Sequence, residues 1–150
     1  MFSHLLIPLD GSSFSEAALP YALSLAEKYN SELTLMQVIM PPQWMSMLEA
    51  ETPELVDKIR AVNEQKASTY LNTKVEELRN KGFTVHAEIR QNEPVAEAIL
   101  EVATMEHIDG IVMCTHGRSG IDRWVFGSVA ERVVHHATVP VLLIRAQHTD

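Results

Sequence analysis

The sequence predicts an α/β domain, a single open sheet of five parallel strands with helices on both faces. Three observations predict it. Short apolar runs alternate with helical patterns along the whole chain. Most of the runs are apolar throughout rather than at every second position. One glycine-rich connection, residues 114–128, joins the fourth run to the last helical pattern. Strands covered on both faces read as continuous apolar runs, and strand–helix alternation is the mark of a parallel sheet.

The elements follow in order. Leu5 to Leu9 is the first strand; Asp10-Gly11 ends it, and Ser12 and Ser13 are candidate helix N-caps. Ala17, Ala18, Tyr21, Ala22, Leu25, Ala26 and Tyr29 recur at helical spacing. Leu33 to Ile39 is the second strand. Residues 40–53 read as the one long irregular connection, broken by Pro41, Pro42 and Pro53. Its apolar residues, Met40, Trp44, Met45, Met47 and Leu48, suit covering the core, meeting a partner subunit, closing over a ligand or touching a membrane. A long helix follows, marked by Leu55, Ile59, Val62, Leu71, Val75 and Leu78, with Gly82 as its C′ residue. Thr84 to Arg90 alternates, as a half-exposed strand does. Val95 to Met105 is a helix with Pro94 near its first turn. Ile108 to Met113 is the fourth strand. Val129, Val133, Val134 and Ala137 mark the last helix, and Val139 to Ile144 the fifth strand.

The bulk numbers set limits. A chain of 150 residues suits one domain, 1–150. The net charge of −8 argues against nucleic acid or an anionic membrane as partner, because no surplus of Lys and Arg is present to neutralise phosphates. Cys114 is the only cysteine, so no intrachain disulfide forms. No stretch reaches the ~20 apolar residues of a membrane span, and the first residues lack the basic start of a leader. A cytoplasmic location is expected.

The chemistry concentrates in two connections. In open α/β sheets, ligands bind beyond the carboxyl ends of the strands, where the strand order reverses. Pro8-Leu9-Asp10-Gly11-Ser12 follows the first strand and 114–128 follows the fourth. Gly117, Gly120 and Gly127 allow backbone N–H groups to turn inward. Gly127-Ser128 opens a helix, whose unsatisfied N–H groups and dipole favour an anion. Arg118 and Arg123 carry positive charge, and the Asp10 carboxylate suits ribose hydroxyls or a metal-nucleotide. The same residues also fit a plain loop with an ordinary helix cap. Neither G-x-x-x-x-G-K-[ST] nor G-x-G-x-x-G occurs.

Four segments together resemble the universal stress protein family: I-P-L-D-G-S-S at 7–13, I-V-M-C-T-H-G-R-S-G at 111–120, G-S-V-A-E-R-V-V at 127–134 and V-P-V-L-L-I at 139–144. The nucleotide-binding branch of that family carries Gly, two residues, Gly, nine residues, then Gly-Ser or Gly-Thr. Here Cys114 stands at the first glycine, Gly117 is the second, and Gly127-Ser128 close the motif. The resemblance implies a Rossmann-like sheet of order 3-2-1-4-5, a homodimer and an ATP site, with or without Mg²⁺. It places Pro8, Leu9 and Asp10 at the adenine and ribose side, and Val38 on the base. It places Met113, Cys114, His116 and Gly117 along the ribose and phosphates, with Arg118 and Gly120 in the same loop. Gly127, Ser128, Val129 and Ala130 would cradle the phosphates. The chain departs from the pattern at Cys114, which adds a side chain, and at Ala130, which lacks a hydroxyl that some members have.

With that strand order, the third and fifth strands are edges. His86, Glu88 and Arg90 protect the third. The fifth is apolar and protected only at Pro140, so Val139, Val141, Leu142, Leu143 and Ile144 are expected to pair with a second copy. The histidines lack metal-ligand clustering, and the serines lack nucleophile-elbow spacing. The expected function is that of an ATP-binding stress-response regulator or sensor, not an enzyme, with an unidentified protein partner. One alternative is a slow ATPase assisted by Asp10 and His116; another is an interaction protein without nucleotide.

Overall fold

The computed structural model describes residues 1–115 and 127–146. Its elements are β1 (His4–Pro8), α1 (Ser13–Glu16), α2 (Leu19–Tyr29), β2 (Glu32–Ile39), α3 (Gln43–Glu49), α4 (Pro53–Asn80), β3 (Val85–Gln91), α5 (Val95–Met105), β4 (Gly110–Cys114), α6 (Ser128–His136) and β5 (Val141–Ile144). The strands form one parallel sheet in the order β3-β2-β1-β4-β5. The order reverses between β1 and β4.

Alternation along the central strands divides the core in two. Leu5, Ile7, Leu33, Leu35, Val112 and Cys114 face α2 and the carboxyl half of α4. Leu6, Met36, Ile111 and Met113 face α5 and α6. Each fully buried Leu or Ile contributes ~2 kcal/mol by leaving water. The helices offer small residues to the sheet: Ala22 and Ala26 from α2, with Ala18 just before it, and Ala96, Ala98 and Ala103 from α5.

Helix ends follow local chemistry. The Ser12 hydroxyl accepts from the Ser15 N–H, so Ser12 is the N-cap of α1. At the end of α4, the Gly82 N–H donates to the Arg79 carbonyl (2.9 Å) and the Phe83 N–H to the Leu78 carbonyl (3.2 Å). Gly82 has φ +96°, so it is the left-handed C′ residue of a Schellman motif.

The structure departs from the sequence reading at several places. Residues 40–53 are not irregular: Pro42 leads into α3, and buried Met45 anchors it. The stripe from Ala17 to Tyr29 falls on α2 and the two residues that precede it, with Pro20 in the first turn of α2, and a separate short helix, α1, comes before it. Strand β4 begins at Gly110 rather than Ile108, because the Ile108 N–H is spent on the Ala103 carbonyl to terminate α5. Strand β5 begins at Val141 rather than Val139; Pro140 has no N–H to give a ladder.

Candidate functional site

The cleft at the strand-order reversal arises from the backbone. Strands β1 and β4 pair only at Leu5–Gly110 and Leu6–Ile111, although both continue further. Pro8 ends β1 and has no N–H to offer β4. On its other side, β1 stays in register with β2, and the Leu9 N–H donates to the Met36 carbonyl (2.7 Å). The carboxyl ends of β1 and β4 therefore leave an opening between the two connections. A cavity of about 320 Å³ fills it.

The cavity gathers nine of the residues expected at the site: Pro8, Leu9, Asp10, Met113, Cys114, Gly127, Ser128, Val129 and Ala130. Ser15, Val95, Ile99 and Thr115 line it too, and the sequence reading missed them. Ser15 carried a faint signal, three residues after the N-cap Ser12. Nothing in the periodicity of α5 said that Val95 and Ile99 would reach this opening. Val38 lies on β2, packs against the α5–α6 core cluster and is absent from the lining. His116, Gly117, Arg118 and Gly120 lie outside the described residues.

Asp10 is held by its own turn. Its Oδ1 accepts from the Ser12 N–H (2.9 Å) and the Ser12 hydroxyl. The Asp10 N–H donates to the Ser15 hydroxyl (3.2 Å), which donates to the Ser12 carbonyl (2.9 Å). This Asx-type turn positions the carboxylate at the rim before any ligand arrives.

Gly127 acts by close approach. Its N–H donates to the Thr115 carbonyl (2.8 Å), and a Cβ there would stand 2.7 Å from that same oxygen. Its φ is −51°, so the left-handed region is not the reason for glycine. That N–H is used within the protein, while Gly127 itself still lines the cavity. The first turn of α6 carries the N–H groups of Ser128, Val129 and Ala130, and among the described residues no side chain caps it. They open beside the cavity that these residues line.

Cys114 is the last residue of β4 and keeps a negative φ, so its side chain carries no left-handed penalty. Its Sγ lies 3.7 Å from the Ser15 carbonyl. Burial pushes the thiol up to about 11, helped by the Asp10 charge and opposed by the Ala18 N–H. At neutral pH this is a closed, unreactive wall residue. Among the described residues, no group of three or more His, Cys, Asp or Glu could hold a metal ion. None of the described helices is long and apolar enough to cross a membrane.

The sequence pattern of the universal stress protein family matches residues 1–145. The chain belongs to the universal stress protein family. A universal stress protein of Methanocaldococcus jannaschii is 30% identical over 145 residues, covering 97% of this chain and 83% of that one. One from Bacillus subtilis is 28% identical over 149 residues, covering 97% and 100%. Among solved structures, a protein described as hypothetical, whose biochemical function was assigned from its structure, superposes with a TM-score of 0.85. It is 26% identical and covers 99% of both chains. Two more distant universal stress proteins share the fold. One, solved with cAMP, has a TM-score of 0.67 at 20% identity and covers 97% and 98%. The other, from Arabidopsis thaliana with AMP bound, has 0.68 at 18% and covers 97% and 93%.

Proposed function

We propose that this universal stress protein binds an adenine nucleotide, ATP being the expected one, in the cleft between β1 and β4. One observation carries the reading: the N-terminus of α6, which no described side chain caps, opens into a cavity whose opposite walls are apolar. An anion suits the N–H groups. A flat base suits Val95, Ile99 and Met113. Asp10, fixed by Ser12, stands where a sugar hydroxyl would donate. The cAMP and AMP complexes of more distant members are consistent with it. Mg²⁺ would arrive on the nucleotide phosphates.

On this reading the protein is a sensor or regulator rather than a catalyst. Occupancy of the cleft biases the connections around it and so what a protein partner meets. Turnover of ATP is slow or absent. The protein is a homodimer through β5, whose outer edge is unpaired and whose Leu142 is exposed. Leu142→Arg then gives a monomer by light scattering at tens of micromolar; unchanged mass refutes that interface.

The nucleotide reading is tested with Ser128→Asp. A carboxylate in the first turn of α6 favours the helix but competes with phosphate for the same N–H groups. Calorimetric titration with ATP, AMP and cAMP is expected to show at least a tenfold loss of affinity, about 1.4 kcal/mol, with the thermal midpoint unchanged or raised. Unaltered ATP affinity in the variant, or none in the parent, refutes the site. Steady phosphate release that disappears with Asp10→Asn would instead favour a slow ATPase.

A further inference from the structure

The segment between β2 and the body of α4 belongs to neither half of the core. Met45 and Val56 are 1% and 0% exposed, yet both lie outside the two main core clusters. Along α4, no residue between Val56 and Ala67 is buried. Helix α3 packs on α4 as a helical hairpin. Glu49 and Arg60 bridge its two arms (2.9 Å).

The outer surface of this hairpin is apolar. Met40, Trp44, Met47 and Leu55 are 52%, 50%, 80% and 48% exposed. Trp44 and Met47 are one turn apart on α3, so they share a face. Large unbranched or aromatic side chains left in water at this density mark a contact surface.

Charge decides what fits. Glu49, Glu51, Glu54 and Asp57 precede the first cation of the segment, Lys58. Arg60 meets Glu49 and, at 3.8 Å, Asp57. Among the described residues, Glu51 and Glu54 have no ion-pair partner. A second copy docked on this face about a two-fold axis would bring Glu51 and Glu54 near their own duplicates, and like charges so placed are costly. An anionic bilayer is repelled for the same reason. We infer that the α3–α4 hairpin docks a cationic amphipathic segment of another protein, its apolar residues seated on Met40, Trp44 and Met47 and its Lys or Arg side chains on Glu51 and Glu54. None of Met40, Trp44, Met47, Glu51 and Glu54 lines the cavity between β1 and β4.

The test uses the whole protein carrying ¹³C-methyl methionine and an amphipathic leucine–lysine helical peptide as probe. On titration the Met40 and Met47 methyl signals should shift and saturate, while those of buried Met36 and Met113 stay. Met47→Asp and the double change Glu51→Lys, Glu54→Lys should each weaken binding about tenfold or more, as loss of an interface anchor does. Met47 and both carboxylates are exposed, so thermal melting should stay as in the parent. The inference is overturned if the two methyls do not respond, or if oligolysine or a leucine–glutamate peptide binds as well. It is equally overturned if Met47→Asp changes the sedimentation of the protein alone, or if anionic vesicles move the same signals.

Discussion

The two ends of the same sheet are built differently. At the amino ends, polar groups meet partners within the protein. Asp109 receives the Ser3 N–H (2.8 Å) and the His4 N–H (2.9 Å). The Thr34 hydroxyl donates to Glu106 (3.2 Å) and accepts from His4 Nε2 (2.8 Å), which makes Nε2 the protonated nitrogen. Phe2 packs over Gly110 and meets the Tyr29 ring edge-on. At the carboxyl ends, β1 and β4 separate, a cavity opens and the first turn of α6 lines it. Both ends use a glycine at a close approach. The difference lies in what presses on it, side chains at Gly110 and a backbone oxygen at Gly127. One end closes the fold, and the other keeps hydrogen-bonding capacity for something else.

The largest effect is expected where no atom can yield. Gly127→Val places a Cβ against the Thr115 carbonyl, so α6 must shift. Urea unfolding should show a loss of about 3 kcal/mol, the upper range for overpacking, together with loss of nucleotide binding. The change is therefore not confined to the cavity wall. Gly110→Ala meets Leu5 Cδ2 at 2.8 Å and Phe2 Cδ1 at 2.9 Å, both side-chain atoms. It should cost about 1–2 kcal/mol and leave nucleotide affinity untouched. Equal losses of affinity in the two variants would erase the contrast between the ends.

Asp109 sharpens the comparison through pH. Burial works to raise its carboxyl, but the N–H groups of His4 and Ser3 outweigh burial and hold it below its usual value. A lowered folded value gives stability that is present above the unfolded value of about 3.9. That stability is lost as pH falls through the lower folded one. Asp109→Asn should therefore lower stability modestly at pH 7, since the carboxylate is largely exposed and screened, and the gap between variant and parent should narrow below about pH 4. A gap that persists at pH 2 would make the clamp steric rather than charged.

The smallest effect should be a gain. His107 follows α5 with φ +53°, and the Ile108 N–H returns to the Ala103 carbonyl (3.0 Å). A left-handed position there favours glycine. His107→Gly should raise the thermal midpoint by a few degrees, worth ~0.5–1 kcal/mol. No rise would mean that the ring contributes packing of its own.

Much of the site was legible because its chemistry is local. An Asp after an apolar strand, a Ser two residues on, and a Gly-Ser opening a helix each announce a turn or cap without knowledge of distant partners. Val95, Ile99 and Ser15 were not legible as lining. Their place depends on where α5 and α1 lie across the splayed strands, and periodicity encodes which face is buried but not which opening it borders. Residues 40–53 misled for a related reason: three prolines read as breakers, whereas Pro42 and Pro53 stand just ahead of α3 and at the start of α4.

By itself the sequence determined five strands, their alternation with helices, the Schellman stop at Gly82 and the Ser12 cap, all set by contacts within a few residues. Only the tertiary structure decided that β1 and β4 part beyond Leu6 and Ile111, that Gly127 serves Thr115, and that Met45 and Val56 are buried outside the two main clusters. Those outcomes depend on atoms distant in the chain coming within van der Waals reach, which no local pattern specifies.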